Sequence, residues 1–376
     1  MPRLLFWTVA GIAVLSVLGC GSRHEQSRPS ISLVSAKLRS TQIVPTLDTP
    51  LNESGNAVWC ATFQVAWNRA KEEVIGQPLR IANAQAVADR LNASPVTEAA
   101  LPAGSYYAAA GRLNDGVEQT IRSAMSARFP QVTPPVFGGA EGFVSYAYLD
   151  TKGAFTTPLV DTKRPLEFVD AAGVSHRVAG FGLHEGTDWD LRQKQAAQIR
   201  VLFAKGPYEG GRGWQPGTPA AYALDLTADQ TEQQVIVAVL PRREHLRALL
   251  DELTGLAQEP TSSAGASRLS QVDTMAIPNV VFRADHAFTE LAGGDKVIQN
   301  AGEYQGLFIA AARQTINFRL DKSGAAVISE SHLYAGADPR HFIVNRPFLI
   351  VMKLHNQTQP YFVAWIENIE LLDPAR

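Results

Sequence analysis

The residues whose order carries the most chemical meaning run from 314 to 351. Thr315-Ile316-Asn317-Phe318-Arg319-Leu320 alternates apolar and polar side chains, the period of a half-buried strand. Asp321-Lys322-Ser323-Gly324 breaks it, and Ala325-Ala326-Val327-Ile328-Ser329-Glu330-Ser331 follows, small and mostly uncharged. Side chains of an extended segment point to alternate faces. Counted from Gly324, Ala325, Val327, Ser329 and Ser331 share one face, and none brings a charge that would be costly to bury. Ala326, Ile328 and Glu330 take the other face. The chemistry open to such a segment is addition of a strand to a sheet, with no bond made by its own side chains. Residues 334–341 then have the composition of a loop, and Asn345-Arg346-Pro347-Phe348 leads into an apolar run.

Catalytic constellations find little support. There is no Gly-x-Ser-x-Gly elbow. His184-Glu185 lacks the second histidine of a zinc helix, and Asp188-Trp189-Asp190 lacks the remaining ligands of a calcium loop. The glycine-rich stretch 206–213 has no Gly-Lys-Ser/Thr, so it does not read as a phosphate loop. The eight histidines are scattered without metal-ligand spacing, so no metal and no cofactor is expected. Cys60, in Val58-Trp59-Cys60-Ala61, is expected on a helix as a buried inert thiol, with no histidine nearby to activate it.

These residues need a large body to position them. The chain has 376 residues, enough for a sizeable core, and a net charge of −2 with no basic patch interleaved with aromatics, which argues against a nucleic-acid partner. At the N-terminus, Arg3 precedes an apolar stretch over 4–18 that ends Val17-Leu18-Gly19-Cys20. It is too short to span a membrane and reads as an export signal. Its ending resembles a bacterial lipobox, which implies cleavage after residue 19, lipidation of Cys20 and a membrane-anchored protein, periplasmic or on the cell surface. Gly21 favours the outer membrane or outer surface by the same resemblance; the simpler reading is an ordinary signal peptide. Residues 20–50, rich in Ser, Thr and Pro, read as a flexible tether, and 51–376 as the folded domain.

Helical spacing predicts helices over 57–73, 84–92, 114–129 and 246–253. Strands are expected over 143–149, 165–169, 176–181, 198–204, 221–226, 275–282 and 307–311. The continuous apolar run 235–240, ended by Pro241, predicts a fully buried strand.

Several of these pieces stand in the order found in serpins, a family that mostly comprises suicide inhibitors of proteases. Val144-Ser145-Tyr146-Ala147-Tyr148-Leu149 with Lys152-Gly153 resembles the central strand of the main serpin sheet and the turn after it. Leu224-Asp225-Leu226 and 235–241 resemble paired buried strands ending in Leu-Pro, and 246–250 the short helix after them. Met275-Ala276-Ile277-Pro278-Asn279-Val280-Val281-Phe282 is similar to the strand written apolar-Pro-Lys-Phe. Gly324-Ala325-Ala326 resembles the hinge, and Asn345-Arg346-Pro347-Phe348 the C-terminal signature. The resemblance covers 142–372. Departures are the missing tryptophan after Lys152-Gly153, Asn279 in place of Lys, Ser323 and Ala325 around the hinge glycine, Tyr361-Phe362-Val363-Ala364-Trp365 in the last strand, an insertion over 206–217 and a short helical N-terminal half.

The resemblance implies an α+β fold with a large central β-sheet, two smaller sheets, packed helices and an exposed reactive-centre-type loop. Its hinge would be Gly324, Ala325, Ala326, Val327, Ser329 and Ser331. Ala335, Gly336, Ala337, Asp338, Pro339 and Arg340 would be the bait. The cleaved bond falls near Asp338 counting from Gly324, or near Gly336 counting back from Pro347; Arg340 is a third candidate and would suit a trypsin-like protease. Asn345, Arg346, Pro347 and Phe348 would anchor the returning strand. The implied function is suicide inhibition of an extracytoplasmic serine or cysteine protease by loop insertion, so the chain would be no enzyme. Its partners would be that protease and, through Cys20, a membrane. The alternative is a non-inhibitory binding module of the same fold at the cell surface.

Overall fold

Alternating and continuous apolar runs become strands through most of the chain. The computed structural model describes residues 38–375 apart from 140, 184–187, 210–216, 231, 260–267 and 324–338. Cys20 and the hinge residues Gly324, Ala325, Ala326, Val327, Ser329 and Ser331 lie outside the described residues, as do Ala335, Gly336, Ala337 and Asp338 of the bait. Among the described residues, no helix is long and apolar enough to cross a membrane.

The chain opens with β1 (Thr41–Ile43), β2 (Asn56–Cys60) and α1 (Ala61–Arg69), which continues as a π turn over Ala70–Val74. Then come α2 (Gln85–Ala93), β3 (Tyr106–Arg112), α3 (Val117–Arg128) and β4 (Phe143–Lys152). Short strands β5 (Val160–Asp161), β6 (Leu166–Val169), β7 (Ser175–Val178) and β8 (Gly180–Leu183) lead to α4 (Trp189–Ala197). Next are β9 (Arg200–Glu209), β10 (Thr218–Asp225), β11 (Gln233–Val239) and α5 (Leu246–Gln258). The C-terminal part holds β12 (Thr274–Pro278), β13 (Val280–Ala287), β14 (Gly293–Val297), β15 (Phe308–Leu320), β16 (His341–Ile343), β17 (Phe348–Leu354) and β18 (Pro360–Ile366).

The architecture is α+β. One sheet has seven strands in the order β1-β2-β18-β17-β11-β10-β9, and one has four, β16-β12-β8-β5. A five-stranded sheet runs β13-β15-β4-β3 with β14 beside β15, and β6-β7 forms a separate hairpin. The run at 235–240 is β11, paired on both sides and buried, as its unbroken apolar pattern requires. The five-stranded sheet is covered on both faces. Phe318 of β15 stacks on Phe362 of β18 with ring centroids 4.2 Å apart, joining it to the seven-stranded sheet. On the other face α3 lays Val117, Ile121 and Met125 over Tyr107, Val144, Tyr146 and Tyr148.

Two expectations are corrected. The helix predicted over 57–73 begins only at Ala61, and Asn56–Cys60 is a strand. All five of its residues are buried, so no polar face marks the change of period. Residues 41–47, expected within the tether, are instead part of the fold. Ile43, Val44 and Leu47 are buried, and the Glu370 carboxylate accepts from the backbone N–H of Ser40 at 3.0 Å and the hydroxyl of Thr41 at 2.7 Å.

Candidate functional site

The site is the seam between β4 and β15 together with the two ends of the segment 324–338. The strands β4 and β15 run parallel, paired from Phe143 against Ile309 to Lys152 against Arg319. Their other neighbours are antiparallel: β3 beside β4, and β13 beside β15. The sheet therefore has one parallel seam between two antiparallel ladders, and the chain leaves β15 at the end of that seam. A strand that turned back from the end of β15 and entered the seam would be antiparallel to both walls, the slightly more stable pairing.

Side chains of β15 are bonded on both faces of the sheet. Gln314, 1% exposed, donates through Nε2 to Thr62 Oγ1 at 2.8 Å and to the Cys60 carbonyl at 3.2 Å. On the α3 side, Asn317 Nδ2 donates across the seam to the Tyr148 hydroxyl at 2.8 Å. Thr315 Oγ1 donates to Asp285 Oδ1 at 2.7 Å. Burial, with Asp150 adding to it, pushes the Tyr148 phenol far above its usual pKa, so it stays a neutral donor and acceptor. Cys60 ends β2 and is not on the predicted helix. Burial, the expected part of the reading, raises its thiol to about 12, and its Sγ lies 3.1 Å from Thr62 Oγ1.

The near end of the loop is fixed up to Ser323. Gly153 N–H donates to the Arg319 carbonyl at 2.9 Å, continuing the β4–β15 ladder. Leu159 N–H donates to the Lys322 carbonyl at 3.1 Å, Ser323 N–H to Asp321 Oδ1 at 2.8 Å, and Lys322 pairs with Asp161.

The far end is held by a buried carboxylate. Asp273, 1% exposed, accepts from the Arg340 backbone N–H at 2.8 Å, from Arg340 Nη2 at 2.8 Å and from the Ser270 N–H at 2.8 Å. Burial pushes the Asp273 carboxyl up, but the Arg340 guanidinium and the two N–H donors outweigh it and hold it below the ordinary carboxylate range. Arg340 also reaches the Arg268 carbonyl at 3.0 Å. Arg340, expected in the bait, thus has its guanidinium on Asp273 in the intact chain. Pro339 precedes it at the edge of the described residues. Sixty-seven residues separate Asp273 from Arg340, and no local pattern in the sequence announces the pair.

The anchor residues lead the chain from β16 into β17. The Asn345 carbonyl accepts from Val169 N–H at 2.8 Å. Arg346 Nη2 donates to the carbonyls of Pro219 and Ala220 at 2.7 and 2.9 Å. Pro347 then turns the chain into Phe348, which is fully buried with its ring edge-on to Phe168 at 6.2 Å. Asp188 of the dismissed calcium pattern caps α4, accepting from Leu191 N–H at 3.1 Å. No cluster of metal-ligating residues occurs among the described residues.

No protein-family model matches the chain, and no curated protein matches it. Solved structures do. Native protease nexin-1 with heparin is 13% identical, with a TM-score of 0.41, over 68% of this chain and 67% of that one. The Manduca sexta serine protease inhibitor serpin-12 is 15% identical, with a TM-score of 0.41, over 70% and 67%. Uncleaved ovalbumin is 11% identical, with a TM-score of 0.47, over 84% and 93%. Serpins are among its structural neighbours. The chain spans about two thirds of the length of the first two.

Proposed function

We propose that the protein inhibits a serine or cysteine protease outside the cytoplasm by loop insertion, with Cys20 carrying a lipid that holds it at a membrane. The protease nucleophile attacks a carbonyl within the bait, 335–340, the peptide C–N bond breaks and the new amine leaves with the C-terminal fragment. The segment beginning at Gly324 then enters between β4 and β15 before water can hydrolyse the acyl-enzyme. The observation that carries this reading is the parallel β4–β15 seam with the loop issuing from its end. The ten paired positions of that seam extend roughly 33 Å, a length that ten extended residues cover. The 15 residues of 324–338 are enough to supply such a strand. Ala325, Val327, Ser329 and Ser331 would form its buried face. Ala335, Gly336, Ala337, Asp338, Pro339 and Arg340 would be the bait, with Arg340 also tying its far end to Asp273.

The test is a denaturing gel of the full chain incubated with a panel of serine and cysteine proteases. A covalent adduct between a protease and the N-terminal fragment is expected. Clean cleavage within 335–340 by every protease, with no adduct, would replace this reading with the non-inhibitory binding module.

A further inference from the structure

Helix α4 reverses the usual pattern of a surface helix. Its buried residues are Arg192, Gln195 and Ala196, whereas Trp189 and Leu191 in its first turn are 55% and 38% exposed. The polar inner side has protein partners. Arg192 Nη2 donates to the Asp273 carbonyl at 2.8 Å, and Gln195 Nε2 to the Pro158 carbonyl at 2.6 Å. The apolar outer side is left to solvent. Val272, 39% exposed, adds to it, directly before the Asp273 that Arg192 holds. A lone exposed leucine is ordinary, but an exposed tryptophan on a helix that buries an arginine and a glutamine marks a surface with a use.

This turn stands beside the far end of the bait, and Asp273 is the link. Its carbonyl accepts from Arg192 and its carboxylate from Arg340, while Thr274 N–H donates to the Arg340 carbonyl at 2.8 Å. The path from Trp189 to Arg340 is one helical turn, about 5 Å, then one arginine side chain, Asp273 and two hydrogen bonds of about 3 Å. An interface of ordinary size covers about 800 Å² on each partner, a disc roughly 32 Å across. A footprint of that size holds both Arg340 and Trp189.

The geometry points to Trp189, Leu191 and Val272 as a docking surface for the body of the protease that the bait engages. This rests on the bait reading of 335–340 and adds a second contact with the same partner. Asp190, exposed between Trp189 and Leu191, sets a carboxylate at the edge of the surface. The matching surface of the protease is therefore apolar, with a basic group at its rim. Burying the Trp189 ring supplies the kind of aromatic anchor that dominates interface energies.

The test compares the full chain with its Trp189→Ser/Leu191→Ser variant, each incubated with a panel of serine and cysteine proteases. The quantity read is the rate at which intact chain is consumed by a cut within 335–340, with adduct and cleaved product counted together. The protease that consumes the wild type fastest is expected to act on the variant about tenfold more slowly or worse, the loss of about one anchor residue. Equal rates with adducts formed would overturn this surface and leave the inhibitor reading standing. Slower consumption with no adduct would support the surface and remove the inhibitor reading. No cut within 335–340 by any protease would remove both. A wild type that sediments as a dimer beside a monomeric variant would give the surface to a second copy of the chain instead. Thermal unfolding checks that the variant is folded; if it is not, Trp189→Ser alone, at an exposed position, must slow consumption.

Discussion

At the far end of the loop a single carboxylate does the holding. Asp273 is buried, and Arg340, whose side chain is 22% exposed, satisfies it with both backbone and guanidinium donors. Removing one partner of a buried pair leaves the other uncompensated, at a cost of about 3–5 kcal/mol. Because Arg340 is partly open to solvent, Asp273→Asn is expected at or just below the low end, a loss of about 2–3 kcal/mol in urea unfolding. The acid limb has a definite sign. The folded pKa of Asp273 lies below the ordinary value of 3.8, so its contribution is full above 3.8 and drains as pH falls through the folded value. The wild type should lose its advantage over Asp273→Asn in that window, and a constant gap down to the folded pKa would rule out the coupling. Cys60 offers a second check. With its thiol raised to about 12 and buried, it should resist maleimide at pH 7 in a Cys20→Ser background and label only on unfolding.

Strands carry the site, and some were legible while others were not. Leu320 ends a clear alternation, and the small uncharged set after Gly324 stands out in sequence. Yet the runs at 307–311 and 315–320 read as two strands, whereas β15 is one strand over Phe308–Leu320. The buried polar Gln314 breaks the apolar pattern without breaking the backbone, because the Cys60 carbonyl and Thr62 Oγ1 accept from its Nε2. Residues 57–60 read as helix because a fully buried strand has no period. The parallel pairing of β4 with β15, residues more than 150 positions apart, is a tertiary fact that neither strand's own pattern contains. The hydrogen bond from Asn317 to Tyr148 spans that seam. Tyr148→Phe leaves the Asn317 amide without this partner and should cost the intact protein about 1–3 kcal/mol. If cleavage parts β4 from β15, the bond is already lost in the clipped form, and the variant should cost that form much less. Equal losses in both forms, measured by denaturant unfolding, would mean that the seam never opens.

The whole molecule supplies the driving force in this account. In the intact chain the five-stranded sheet keeps one parallel seam, and 324–338 connects its end to Arg340, tethered on Asp273. In the proposed mechanism, cutting the segment frees its N-terminal part, whose entry would replace one parallel pairing by two antiparallel ones and bury Ala325, Val327, Ser329 and Ser331. The clipped protein should therefore unfold at a higher temperature than the intact one. At about 2–4 °C per kcal/mol for a large domain, a gain of several kcal/mol amounts to a rise of about 10 °C or more. Val327→Arg separates insertion from mere relief of strain, because a guanidinium on the buried face carries a desolvation cost that the neighbouring small residues cannot compensate. The variant should be cut as readily as the wild type, since the substitution lies several residues before the bait, and its melting temperature should stay flat. A rise equal to the wild type's in Val327→Arg would place that side chain in solvent and remove the register counted from Gly324.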